Sequence, residues 1–272
     1  MNTDIDLNHT DFNRRFSGVR RLYGDIGLIK LQPAHVVVVG IGGVGSWAAE
    51  ALARHAIGML TLVDLDNIAE SNVNRQIHAL DGNFGKAKIT AMRERIFCIN
   101  PACHVREIED FVTLENISKL LDSRSGYKID IIVDCIDDAK AKIALAAFCK
   151  NTQTPMIMSG SAGGRHDPTK IKVADLAFVH GDKLLAKVRN QLRRDYDFPK
   201  AQNDNKHTKI SAKFDIKCVY SDEPMTKPDI GCEEDSNAAI TGLNCAGYGS
   251  SVCVTAPFGF AAAQLAIDMI IA

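Results

Sequence analysis

The stretch His35–Gly45, HVVVVGIGGVG, decides the fold. An unbroken run of β-branched residues, with no polar alternation, predicts a strand buried on both faces. It stops at glycine. Gly40, Gly42 and Gly45 then follow the spacing G-x-G-x-x-G, with Gly43 inside the same turn, directly before the alanine-rich stretch Val44–Ile57 (VGSWAAEALARHAI). That is a strand, a tight turn and a helix N-terminus, whose N–H groups and dipole can face a phosphate chain. The glycines by themselves require only close strand–helix packing. Asp64, which ends the next strand pattern Met59–Leu65 (MLTLVDL) 24 residues after Gly40 (64 − 40 = 24), adds a carboxylate suited to ribose hydroxyls. Its plain reading is a turn or helix-cap aspartate.

Beyond this unit the pattern keeps alternating. Helices are predicted over Lys86–Cys98, Leu114–Leu121 and Ala139–Asn151, and strands over His104–Ile108, Asp130–Cys135 and Pro155–Ser159. Strands separated by helices imply right-handed crossovers and an α/β, doubly wound, mainly parallel, Rossmann-like sheet. From 181 to 235 the chain turns polar, with Pro199, Pro224 and Pro228. This predicts a helix at 182–195 and then a long mobile loop, a polar insertion within a single domain spanning 1–272. From Gly242 to Ala272 apolar residues return. Ser236–Ile267 carries no formal charge and is long enough to span a bilayer. Gly242, Gly247, Gly249, Pro257 and Gly259 interrupt it. Backbone groups freed there could not face lipid, so a buried strand and a terminal helix are predicted and a membrane contact is not.

Lys and Arg total 32 against 33 Asp and Glu, so the chain as a whole is no polyanion binder. The charge is uneven, however. Lys183–Lys217 holds ten basic and four acidic residues, +6, which leaves −1 − 6 = −7 elsewhere. Arg189, Arg193 and Arg194 make this strip a candidate nucleic-acid surface; its plain reading is a solvated helix face. None of the eight cysteines is spaced C-x-x-C, which argues against zinc. Cysteines without a secretory signal point to a reducing cytoplasm.

Three further segments carry chemistry: N72-V-N-R-Q76, G85-K-A-K88 and D134-C-I-D-D138. Arg75 and Lys88 suit a triphosphate rather than a nicotinamide, because cations neutralise charge developing on a leaving pyrophosphate. Asp137, past the end of the fourth strand, stands where ligands bind in open α/β sheets and can hold Mg²⁺. Taken singly, Arg75 reads as a surface ion pair, Lys88 as a solvated helix face and Asp137 as an N-cap; their joint placement carries the argument. His78 is read as an acid/base group near the nucleotide or, more plainly, as a structural histidine.

With these segments, GIGGVGSWAAEALAR, TLVDLD, NVNRQIHAL, GKAK and DCIDD, the chain resembles the ThiF/MoeB adenylating enzymes related to ubiquitin activators. RRFSGVRRLYG, CVYSDE (Cys218–Glu223) and GYGSSVCVTAPFGF (Gly247–Phe260) resemble, within it, the branch of tRNA threonylcarbamoyladenosine dehydratases. The resemblance implies phosphates on Gly40–Gly45, and a nucleotide site completed by Asp64, Asp66, Asn72, Arg75, Gln76 and Lys88. Arg75, Lys88 and Asp137 would be catalytic, Asp137 through its metal. Either Arg15 or Arg21 would reach a neighbouring subunit's nucleotide in a homodimer. Cys218 and Cys245 are candidates for the substrate pocket. The implied reaction is ATP- and Mg²⁺-dependent ring closure on threonylcarbamoyladenosine beside the anticodon, with a monovalent cation as an open addition. Competing readings are an activator of a ubiquitin-like sulfur carrier, a non-catalytic nucleotide-binding partner of a cysteine desulfurase, and, last, an NAD-dependent oxidoreductase.

Overall fold

A computed structural model describes residues 11–121, 128–203, 209–226 and 248–272. The elements are α1 Ser17–Leu31, β1 His35–Val39, α2 Gly45–Arg54, β2 Met59–Val63, α3 Lys88–Ile99, β3 His104–Ile108, α4 Ile117–Leu120, β4 Ile131–Asp134, α5 Ala139–Thr152 and β5 Met156–Ser159. They continue with β6 Ile171–Asp175, α6 Lys183–Asp195, β7 Ala201–Asn203, β8 Lys209–Ser211, β9 Ile216–Ser221 and α7 Val252–Ile271. Seven strands form one sheet in the order β3-β2-β1-β4-β5-β9-β6, parallel except for β6, which runs antiparallel to β9. β1 is flanked by β2 and β4, with Val37 opposite both Thr61 and Ile132.

Alternate residues of the same strand feed opposite cores. Val36 and Val38 pack with Leu52, Ile96, Phe258 and Ala262 of α2, α3 and α7; Val37 and Val39 pack with Ile143, Leu145, Leu185 and Leu192 of α5 and α6. This is why the β1 segment reads as all valine. The order reverses between β1 and β4, and the crevice outside their carboxyl ends is where ligands bind in such sheets.

The stretch after Asp195, expected to be a loop, contains β9, an interior strand of the main sheet between β5 and β6. Its neighbour β6, also missed, is an edge strand whose Lys172 and Val173 are exposed, so it shows little of the apolar signal of a buried strand. α4 is one short turn rather than the eight residues expected. The strand expected near the C-terminus falls in 227–247, outside the described residues. The terminal helix is present as α7. It is apolar and long enough to cross a membrane, yet half of that stretch is buried against the protein, where a Cβ at Gly259 would stand 2.8 Å from the Ala48 amide nitrogen of α2.

Candidate active site

Gly40 leaves β1 with φ +86°, and a Cβ there would lie 3.1 Å from the Cys135 carbonyl at the end of β4, so glycine lets the two strand ends close up. A Cβ on Gly45 would overlap the Gly40 carbonyl oxygen. Gly42 faces open space. The N-terminus of α2 carries no side-chain cap; the Ser46 amide donates to the Gly42 carbonyl at 3.1 Å, and the positive end of the helix dipole faces the loop. Directly after the glycines, Ser46 has a buried hydroxyl with no hydrogen-bond partner among the described residues. Its position beside Gly45 was the one signal that could have flagged it.

Asp64 ties the second strand to this loop: Oδ2 accepts from the Ile41 amide at 2.6 Å and Oδ1 from the Asp66 amide at 2.9 Å. Burial raises its pKa, and the charge of Lys88 opposes that rise. Lys88, the first residue of α3, is buried with Nζ 2.6 Å from Asp66 Oδ2 and 3.7 Å from Asp64 Oδ1. Far from being a solvated helix face, it is an ammonium held at the crevice by two carboxylates.

Arg75 is positioned by its main chain. Its carbonyl accepts from Trp47 Nε1 of α2 at 2.9 Å and from Thr255 Oγ1 of α7 at 3.5 Å. Asn74 fixes the same turn by donating from Nδ2 to the Ser250 carbonyl at 2.8 Å. The Arg75 stem comes within 3.3 Å of a Cβ built on Gly43, so its guanidinium lies beside the glycine loop; Nη1 donates to the Ser71 carbonyl at 2.8 Å and to Asn74 Oδ1 at 3.0 Å. Asp137 acts on the Arg75 charge from the β4 side. Of the neighbouring carboxylates, Asp138 caps α5 by accepting from the Ala141 amide at 2.8 Å, and Asp134 is buried beside Lys142. Asp137, between them, is half-buried. Among the described residues no group of three or more His, Cys, Asp or Glu forms a metal cage.

Other expected residues take structural posts. Asn72 Oδ1 accepts from the Ala69 amide at 3.1 Å, closing the 3₁₀ turn, whereas Gln76 Oε1 is buried without a partner among the described residues. His78 Nε2 donates to the Ile41 carbonyl at 3.0 Å, and burial lowers its pKa to about 4. It is therefore neutral at neutral pH and braces the glycine loop, as the plain reading had it. Arg15 contacts the Cys98 and Ile99 carbonyls at 3.4 Å, the end of α3 opposite Lys88, and Arg21 is exposed on α1.

The cysteine and the basic strip have surroundings that the sequence did not indicate. Cys218 is fully buried in β9, its pKa raised well above the usual thiol value by burial. It is a core residue. Cys245 lies outside the described residues. Arg189 donates to the Val179 carbonyl, and Arg193 donates to the Pro199 carbonyl at 3.0 Å while stacking over Phe214. Both hold α6 in place; Arg194 is exposed beside Asp195, 2.7 Å away. Arg165, not anticipated, is fully buried, donating to the Ser161, Ser221 and Glu223 carbonyls and pairing with Asp182 at 3.3 Å. It locks together the loops that follow β5 and β9 at the carboxyl edge.

The glycine loop, Arg75, Lys88 and Asp137 stand around the carboxyl ends of β1, β2 and β4. Residues 14–271 match the ThiF family. The chain belongs to that family. Among ThiF relatives it is 44% identical over 264 residues to the tRNA threonylcarbamoyladenosine dehydratase of Haemophilus influenzae, covering 96% of this chain and 95% of the relative. It is 42% identical to the Escherichia coli enzyme of that name, with the same coverage. A crystal structure of the E. coli enzyme in complex with ATP superposes with a TM-score of 0.80 at 40% identity, covering 96% of this chain and 95% of that one. A complex with AMP gives 0.80 at 41%.

Proposed function

We propose that this ThiF-family protein carries out ATP-dependent cyclisation of threonylcarbamoyladenosine in tRNA. The observation that carries the reading is the near full-length match to two dehydratases, on a chain that places Arg75 and Lys88 beside the glycine loop. The threonyl carboxylate attacks a phosphorus of ATP, displacing pyrophosphate or ADP, and becomes an acyl adenylate or acyl phosphate. The carbamoyl group of the same side chain then attacks the acyl carbon, gives up a proton and expels AMP or phosphate, so the carboxylate oxygen leaves on phosphate and one water is lost overall. Because the attack is intramolecular, no enzyme nucleophile is required. The burial of Cys218 is consistent with that route.

ATP suits the crevice: Ser46 Oγ and Gln76 Oε1 are buried polar atoms without a partner among the described residues, and the N-terminus of α2 carries no side-chain cap. Asp137 would hold Mg²⁺ together with phosphate oxygens, as Mg²⁺ sites with one or two carboxylates do; bound there, the ion neutralises phosphate charge. Arg75 and Lys88 contact the triphosphate. Incubation with ATP, Mg²⁺ and threonylcarbamoyladenosine-bearing tRNA should produce a nucleoside lighter by one water, and only with ATP. An unchanged nucleoside mass rejects the proposal.

We further propose a homodimer, in the cytoplasm where its tRNA resides. Support comes from α1, where Leu22, Ile26 and Ile29 are 73%, 74% and 65% exposed, more apolar surface than one helix of a monomer normally shows to water. Sedimentation should give a dimer at assay concentration; an active monomer would contradict it.

A further inference from the structure

We propose that a pocket at the far end of α3 binds a backbone phosphate of the RNA, with Arg15, Arg54 and Arg95 as its ligands; this rests on the tRNA reading above. The cavity has a volume of about 410 Å³ and is lined by these three arginines with Phe16, Cys98 and Ile99. Its charges are not balanced internally. One buried carboxylate, Glu50, serves two of the guanidiniums: Arg54 Nη2 approaches it at 2.7 Å and Arg95 Nε at 2.6 Å. Arg15 Nε pairs with the exposed Asp11 at 2.6 Å, and its Nη1 reaches the last carbonyls of α3. Exposed pairs of that kind are weak and screened by salt.

Once these bonds are made, Nη2 of Arg15, Nη1 of Arg54 and Nη1 of Arg95 have no hydrogen bond or ion pair among the described residues. Capping α3 accounts for one edge of Arg15, and neutralising Glu50 accounts for one edge each of Arg54 and Arg95. Neither task uses the remaining –NH₂ group of each arginine. Three guanidiniums lining one cavity, with more positive than negative charge among them, suit the tetrahedral oxygens of a phosphate.

The position fits the reaction. Arg95 follows Lys88 by seven residues on α3, two helical turns and about 10 Å along the same face. An RNA that delivers its modified adenosine to the crevice can lay a neighbouring phosphate at that distance.

The test uses Arg54→Gln and Arg95→Gln separately, because each leaves Glu50 one arginine and a folded helix pair. tRNA affinity is measured across a salt series, ATP affinity alongside, and thermal protection by inorganic phosphate as a third arm. Each variant should bind tRNA roughly 3- to 10-fold more weakly, with a salt slope smaller by about one unit at most, and bind ATP as the parent does. Parental affinity and slope in both variants overturn the proposal. So does protection by phosphate that the variants lose while tRNA affinity holds, which assigns the pocket to a free anion. A parent chain that binds no tRNA at low salt is a different result: it refutes the tRNA reading itself and the pocket with it.

Discussion

Replacing Arg75 with alanine should lower turnover by roughly 10³-fold or more, the scale of an arginine lost from phosphoryl-group chemistry, with little change in melting temperature. The two halves of that expectation rest on different atoms. The fold depends on the Arg75 carbonyl, which receives Trp47 and Thr255 and is retained in the variant. The side chain is half-buried beside Gly43, and its bonds to Ser71 and Asn74 lie within its own turn. What alanine removes is a guanidinium beside the phosphate loop. Lysine should not restore the rate, because an ammonium cannot present two parallel N–H groups to phosphate oxygens. Single-turnover rates with thermal melts on both variants check this; near-parental turnover in Arg75→Ala would remove the residue from the site.

The half of the fold that is legible in the sequence is the half governed by local rules. The β1 valines and the glycine spacing mark a strand, a turn and a helix start within one short stretch, whereas Asp64 and Lys88 are joined to that loop by the fold, through the Ile41 amide and the Asp64–Lys88 pair. What is not legible depends on partners far away in the chain. Arg165 follows a glycine-rich run that gives no sign of its acceptors, which are carbonyls at 161, 221 and 223 and the carboxylate of Asp182. Arg189 and Arg193 look identical in sequence to free cations; only folding shows that they close off carbonyls at 179 and 199. β9 hides because its flanks are polar, although the strand itself lies inside the sheet. Lys142, in the run AKAKIALAAF, is hidden in the same way, because its partner lies on a neighbouring strand.

Lys142 is in fact fully buried, with Nζ 3.1 Å from the equally buried Asp134 Oδ2 at the end of β4. Asp134 in turn accepts from the Ile136 amide at 3.0 Å through its other oxygen, and so shapes the strand end that faces Gly40. Lys142→Met keeps the volume and deletes the charge, leaving a carboxylate with no cation in a dry interior. The cost should be about 3–5 kcal/mol, the usual consequence of breaking a buried pair from one side. Adding Asp134→Asn should recover much of it, because a neutral amide needs no counter-charge. The pH dependence has a defined sign. Burial raises the Asp134 pKa above 3.8 and Lys142 opposes the rise, so removing the lysine raises it further. A carboxyl whose folded pKa lies above its unfolded value binds its proton more tightly when folded. Stability of the single variant should therefore climb as pH falls through the raised folded value, level off below the unfolded value near 3.8, and be poorest at neutral pH. Denaturant melts of parent, single and double variants at several pH values provide the check. Equal destabilisation by Lys142→Met at every pH would mean that the lysine acts through packing and not through the charge of Asp134.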